Sequence, residues 1–191
     1  MKTKLLKFLS QKKSFTGVRQ EQWGNGILKS KTHYKKGKKA GRETFWYESG
    51  EKKSESHWKS GVQDGLKSEW QKDGVKRKES QWKNGKLEGL ATIWYKSGEK
   101  EGESHYKKGK REGLVTVWYK SGEKGLESHY EDGELVGLVT IWYESGKKLK
   151  EIHYENGLEE GLETCWYESG GKGLEQHYKD GTVSYTHLTL P

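Results

Sequence analysis

The sequence predicts an all-β fold, in which tandem antiparallel β-hairpins form an elongated, twisted open sheet or solenoid. Three observations carry that prediction. Glycine recurs every 24 residues without a slip, at Gly17, Gly41, Gly65, Gly89, Gly113, Gly137 and Gly161. Each interval holds two runs of roughly six to eight residues rich in Thr, Val, Ile, Trp and Tyr, the types that suit a pleated, half-buried surface. The runs are separated by Ser-Gly, Asn-Gly or Asp-Gly, which supply the positive φ angles that short hairpin turns need.

Each of the seven repeats follows one template, seen in the fifth, GLVTVWYKSGEKGLESHYEDGELV. Numbering places from its first glycine, Thr stands at 4, Trp-Tyr at 6 and 7, Ser-Gly at 9 and 10, Lys at 12, Glu at 15, His-Tyr at 17 and 18, and Gly at 21. The Trp place holds Trp46, Trp70, Trp94, Trp118, Trp142 and Trp166, and the His place holds His33, His57, His105, His129, His153 and His177. The turn glycines at place 10 include Gly50, Gly74, Gly98, Gly122, Gly146 and Gly170. Repeat one departs from the template with Gln22-Trp23 for Trp-Tyr and Lys31 for Glu, and repeat three with Trp70-Gln71 and Gln81 for His. Helix is a poor fit, because a glycine every 10 to 12 residues costs about 1 kcal/mol each in a helix interior.

If Ser-Gly is a two-residue loop, places summing to 19 pair across each hairpin. Gly at place 1 then faces the aromatic at 18, Thr at 4 faces Glu at 15, and Tyr at 7 faces Lys at 12. A ring lying over the glycine would strengthen that weak strand position. Alternation puts Leu 2, Thr 4, Trp 6, Glu 15 and His 17 on one face and places 3, 5, 7, 16 and 18 on the other. In repeats four to six the second face reads Ala91, Ile93, Tyr95; Val115, Val117, Tyr119; and Val139, Ile141, Tyr143. Seven hairpins give about 14 strands, which at roughly 4.8 Å each make an array near 65 Å long. Each large aromatic removes roughly 100 Å² from water, or about 2.5 kcal/mol at 25 cal/mol per Å², so stability accrues repeat by repeat from stacked neighbours.

Composition agrees with such an array and excludes several classes. Only 29% of the 191 residues are hydrophobic and 34% are charged, so a thick core is out of reach, while nine Trp and 26 Gly suit short strands and tight turns. No run of about 18 apolar residues exists to cross a membrane as a helix. Residues 1–16 form a basic N-terminal segment whose apolar stretch, Leu5, Leu6, Phe8 and Leu9, is interrupted by Lys7 and too short for a signal peptide. A cytoplasmic location is the default that follows. The repeats occupy 17–182. The remaining VSYTHLTLP, residues 183–191, is uncharged, holds the only Pro and puts Tyr185 where the next glycine belongs. It resembles the in-frame translation of a transposase-type sequencing adapter, and reads as a non-native tail on a longer native array.

No catalytic, cofactor or metal site emerges. Equivalent histidines in successive repeats lie two strands apart, roughly 9.6 Å, whereas zinc ligands sit about 2.0 to 2.1 Å from their metal. Any Glu or His that could serve as acid or base is duplicated in most repeats, which a single active site has no reason to be. The lone cysteine, Cys165, stands at place 5 where Ile93, Val117 and Ile141 stand elsewhere, and reads as a small apolar substitute. Charge is polarised: residues 1–112 carry 29 Lys and Arg against 14 Asp and Glu, and residues 113–182 carry 7 against 14. That polarity suits an acidic partner or membrane surface for the basic half and permits head-to-tail self-association. Nucleic acid is disfavoured, since the aromatics recur equally in the acidic half.

The combined pattern E-x-H-Y-x-x-G and x-G-L-x-T-x-W-Y-x-S-G-x-K resembles the MORN repeats, specifically the bacterial MORN-repeat variant of the YwqK-family antitoxins of toxin-antitoxin systems. The resemblance covers residues 17–182. It implies extended hairpin sheets that act as protein scaffolds, with a toxin as partner, and some such arrays are linked to membrane phospholipids. The expectation is therefore a non-enzymatic repeat scaffold that binds a protein partner, with peripheral attachment to anionic phospholipid through the basic half as the alternative. Carbohydrate binding is a third class, because Trp-Tyr hairpins also occur in cell-wall-binding repeats. The candidate binding-face or packing aromatics are Trp46, Trp70, Trp94, Trp118, Trp142, Trp166, Tyr95, Tyr119 and Tyr143.

Overall fold

The computed structural model describes residues 15–188; most of the basic N-terminal segment and the last three residues of the tail lie outside them. The described chain is all β. Its strands are β1 (Gly17–Gln22), β2 (Leu28–Lys35), β3 (Lys38–Trp46), β4 (Lys52–Lys59), β5 (Val62–Trp70), β6 (Lys76–Lys83), β7 (Lys86–Trp94) and β8 (Lys100–Lys107). They continue as β9 (Lys110–Trp118), β10 (Lys124–Glu131), β11 (Glu134–Trp142), β12 (Lys148–Glu155), β13 (Leu158–Glu159), β14 (Gly161–Trp166), β15 (Lys172–Lys179) and β16 (Thr182–Leu188). Sheet order is chain order, with β13 off the path beside β12, and the sheet is open. Sixteen strands replace the expected 14 because Glu160 splits one into β13 and β14, and because the tail residues add β16. Two compact units share the chain, one reaching to Gly89 and including Lys96–Gly98, the other comprising Leu90–Tyr95 and the residues from Glu99 onward.

Within the hairpins of repeats one to three and five to seven the expected register holds from place 1 to place 5 and then slips. In repeat five Gly113 pairs with Tyr130, Thr116 with Glu127 and Val117 with Leu126, but Trp118 pairs with Lys124, leaving Gly125 as a bulge. The expectation that Tyr at 7 faces Lys at 12 is thus corrected: Trp at 6 does. The cause is the turn. Tyr119 N–H donates to the Glu123 carbonyl (2.9 Å) and Gly122 N–H to the Tyr119 carbonyl (3.0 Å), so the loop is three residues long, with only its glycine at positive φ (90°). This is a type I turn followed by a left-handed glycine, a geometry that forces a bulge into the flanking ladder. Asn25 and Asp73 fit it because their side-chain oxygens accept the N–H two residues on, from Ile27 (3.0 Å) and Val75 (3.1 Å).

The two-residue turn lies instead between repeats, at places 20 and 21. Asn84-Gly85, Asp132-Gly133 and Asn156-Gly157 have positive φ at both positions, 49° and 78°, 49° and 92°, and 50° and 79°, as a type I′ turn requires. A second irregularity follows each of these turns. Between β10 and β11, Glu127 pairs with Thr140 and His129 with Val136, so Gly137, Leu138 and Val139 span the single residue Ser128. Gly137 makes that kink at φ 70°. The tail lacks the glycine, and β16 shows a smaller slip between His177 and Tyr178; every residue of β16 is exposed.

The expected ring over a place-1 glycine is also corrected. A side chain on Gly41 or Gly65 would meet His33 or His57 of the preceding repeat, not the ring it pairs with. The ring-on-glycine contact occurs at place 13, where the Tyr119 ring lies 3.1 Å from the Cβ position of Gly125 and the Tyr167 ring 3.0 Å from that of Gly173.

The buried side chains form two thin lines, back to back through the sheet. One is place 4, with Thr44, Ser68, Thr92, Thr116, Thr140 and Thr164 all buried. The other is places 3 and 16, with Val115, Val139 and Ile152 in the second unit and Thr32, Glu43 and Ser56 in the first. Small β-branched or hydroxylic side chains fit there because the flanking rings cover them without a second layer of structure. Replacing Gly122 by Ala, which meets no neighbour but must hold φ 90°, is expected to lower stability by about 1–2 kcal/mol. Gly171→Ala, at ordinary φ and equally open, is expected to be near neutral; urea midpoints compare the two.

Candidate binding faces

The first face carries the Trp row, and the indoles of Trp70, Trp118, Trp142 and Trp166 are engaged from within. Lys at place 12 reaches from one repeat onto the Trp of the next: Lys52 Nζ lies 5.1 Å from the Trp70 ring centroid, Lys100 5.5 Å from Trp118, and Lys124 and Lys148 6.0 Å from Trp142 and Trp166. The bulge at place 13 also brings Lys 12 and Glu 15 of one strand together, at 2.6 Å for Lys100–Glu103, Lys124–Glu127 and Lys148–Glu151. Each ammonium therefore bridges an indole and a carboxylate. Ring contacts of this kind contribute about 0.5–1 kcal/mol at exposed sites, and they leave those Trp faces closed to an outside ligand.

Tyr at place 7 is a clip between repeats. Its hydroxyl donates to the carbonyl of the Trp 23 residues on: Tyr47 to Trp70 (2.9 Å), Tyr95 to Trp118 (2.6 Å), Tyr119 to Trp142 (2.7 Å) and Tyr143 to Trp166 (2.8 Å). Trp23 makes the same link to Trp46 through its indole N–H (3.3 Å). Gln71 replaces the ring in repeat three, and its Nε2 is buried without a partner among the described residues. The opposite rim is joined as well. The turn glycines Gly61, Gly85, Gly133, Gly157 and Gly181 donate their N–H to carbonyls of the preceding repeat at 2.8–3.0 Å. Asp64, Glu112 and Glu160 accept the N–H of Asn84, Asp132 and Asp180 at 3.2, 3.0 and 2.9 Å. The candidate aromatics of the sequence are thus chiefly elements that hold repeat to repeat, whereas its candidate turn glycines Gly50, Gly74, Gly122, Gly146 and Gly170 donate their N–H to the place-7 carbonyl within their own turn.

What lies open on the first face is a row the sequence placed there but did not single out. Leu90, Leu114, Leu138 and Leu162, at place 2 of successive repeats in the second unit, are 39%, 46%, 50% and 44% exposed. Leu114, Leu138 and Leu162 pair across their hairpins with His129, His153 and His177. The available signal was leucine at a 24-residue period among otherwise hydrophilic neighbours. The first unit has Val18, Arg42 and Leu66 at these places.

The second face holds one buried charged group in the second unit. Glu163 is 3% exposed, stands where Val115 and Val139 stand in other repeats, pairs with Lys150 at 2.9 Å and accepts a contact from Cys165 Sγ at 3.3 Å. Burial pushes its carboxyl up, but the hydrogen bonds from Lys150 and Cys165 outweigh that and hold it below the ordinary 4.5. Its Oε2 is buried and unpartnered. Burial, and then Glu163, push the Cys165 thiol up to about 11, so the thiolate is scarce at neutral pH. Among the described residues no group of three or more His, Cys, Asp or Glu is placed to hold a metal ion, and no helix is long and apolar enough to cross a membrane.

Two outcomes follow. Tyr119→Phe deletes one clip and leaves the Trp142 carbonyl without its donor, which should lower stability by about 1 kcal/mol in urea unfolding; an unchanged midpoint would count against the clip. Because the Glu163 carboxyl is depressed on folding, its contribution is full above pH 4.5 and fades as pH falls through the folded value. Glu163→Val frees Lys150 to reach solvent and removes the unpaired oxygen, so it should raise stability by about 1 kcal/mol at pH 7 and flatten the decline below pH 4.5.

No curated protein matches the chain. Residues 15–36, 39–60, 87–108 and 135–156 match the model of the MORN repeat variant family, each match spanning one three-residue-turn hairpin and stopping at the type I′ turn. With the same hairpin recurring between and beyond them, the chain carries repeats similar to the MORN repeat variant, a class of repeat scaffold.

Proposed function

We propose that the chain is a non-enzymatic scaffold that docks a protein partner on the first face of its second unit, over the row Leu90, Leu114, Leu138 and Leu162. The observation that carries this reading is a line of half-exposed leucines at regular spacing on a face where Trp118, Trp142 and Trp166 are covered by lysines of the preceding repeat. Residues 113–182 carry 14 acidic against 7 basic side chains, so the complementary partner presents a basic surface with an apolar ridge. Resemblance to the YwqK-family arrays supports a toxin as that partner, with the chain as its antitoxin.

A second reading rests on the basic charge of residues 1–112, with 29 Lys and Arg against 14 Asp and Glu: peripheral attachment to an anionic phospholipid surface. The two readings separate on the leucine row. Replacing Leu114 and Leu138 by Asp leaves the buried lines intact and should abolish capture of a basic partner protein from native lysate that the unaltered chain retains. Identical captured sets, together with salt-sensitive sedimentation with anionic vesicles, would favour the membrane reading.

A further inference from the structure

Two departures from the template in repeat one and one in repeat two bear on a single groove. In the first unit, Lys31, His33, Arg42, Thr44, Trp46, Lys52 and Glu55 line an open groove of about 420 Å³. Lys31 stands where the template has Glu, and Arg42 where it has Leu. In the second unit the corresponding places hold Glu103 and Leu114, beside Trp118, Lys124 and Glu127. Two substitutions thus convert an acidic, apolar setting into one with three basic side chains and a single carboxylate. That carboxylate, Glu55, is shared between Lys52 (2.9 Å) and Arg42 (3.6 Å), and the Lys31 ammonium has no carboxylate beside it in the lining.

The third departure is Leu28, which takes the place of the lysine that elsewhere reaches onto the next indole. Lys52, Lys100, Lys124 and Lys148 cover Trp70, Trp118, Trp142 and Trp166; among the described residues no cation lies over Trp46. Its indole therefore remains available in the same groove that gathers the cations. The His33 ring is fixed at the rim by donating Nδ1–H to the Arg42 carbonyl (2.7 Å), since a carbonyl oxygen can only accept.

We propose that this groove binds a nucleoside monophosphate, its base stacked on the Trp46 indole and its phosphate held by Lys31, Arg42 and Lys52. Stacking on Trp needs a planar ring, and base–aromatic stacking contributes about 1–3 kcal/mol; the guanidinium fork and two ammoniums suit a phosphate dianion. The volume falls in the range of small-molecule sites, roughly 300–1,000 Å³, of which inorganic phosphate alone would fill a small part. The site is independent of the leucine row, so either can fail without the other.

The test is calorimetric titration of the full chain at low salt with AMP, adenosine and inorganic phosphate. AMP should bind at least tenfold more tightly than either fragment. Lys31→Glu with Arg42→Leu restores residues that other repeats carry, so the fold is retained by circular dichroism, and AMP affinity should fall at least tenfold. Leu28→Lys should place an ammonium over Trp46 and weaken AMP severalfold while sparing phosphate. No heat with AMP, equal affinity for AMP and phosphate, or AMP binding that survives the Lys31→Glu and Arg42→Leu replacements overturns the proposal.

Discussion

The fold depends on hydrogen bonds that leave one repeat and end in the next, at both rims of the sheet. Within the described chain only Val115, Val139 and Ile152 are buried apolar side chains, so burial alone cannot offset the entropy of ordering so many strands. The strand ladder supplies bonds between neighbours, but its edges would fray if the turns were free. Tyr hydroxyls fasten one rim to Trp carbonyls and turn-glycine N–H groups fasten the other. Each such bond satisfies a backbone group that a solitary hairpin would leave to water. Stability is therefore a nearest-neighbour property, as expected for repeat arrays.

This division explains why the most regular residues are the least informative about function. Trp at place 6 and Lys at place 12 are repeated because each needs the other: the lysine of one repeat covers the indole of the next while pairing with its own strand's glutamate. An indole face so covered is closed to an outside ligand. Specific chemistry is left to positions that depart from the template or that the template leaves uncovered. Lys31 and Arg42 are of the first kind, and the exposed leucines of place 2 are of the second.

Much of the architecture was legible in the sequence because glycine period and residue alternation report directly on turn spacing and face. The hairpins, their sequential order and the sharing of one face by places 2, 4, 6, 15 and 17 follow from those two signals, as the lining of the Trp46 groove illustrates. The turn types were not legible in the same way. Ser-Gly and Asp-Gly look alike on paper, yet Asp73-Gly74 closes a three-residue loop and Asp132-Gly133 a two-residue one; the difference lies in whether the residue before glycine turns left-handed, which flanking pairing decides. From that one unknown came the misplaced partner of Tyr 7 and the unforeseen bulge at place 13. The Tyr clip was hidden for a related reason, since it joins residues 23 apart through a side chain and a carbonyl, and no period in the sequence encodes a hydroxyl's direction.

Amide hydrogen exchange at single-residue resolution tests the coupling of repeat to repeat most directly. Gly133 and Gly157 lie in exposed turns, yet their N–H groups bond to Arg111 and Leu135 of the preceding repeat at 2.9 Å. These two amides should exchange as slowly as the adjoining strand amides of β10 and β12. Exchange at the rate of an unstructured peptide, with the strands still protected, would show that the turns are not held by their neighbours and would contradict the account.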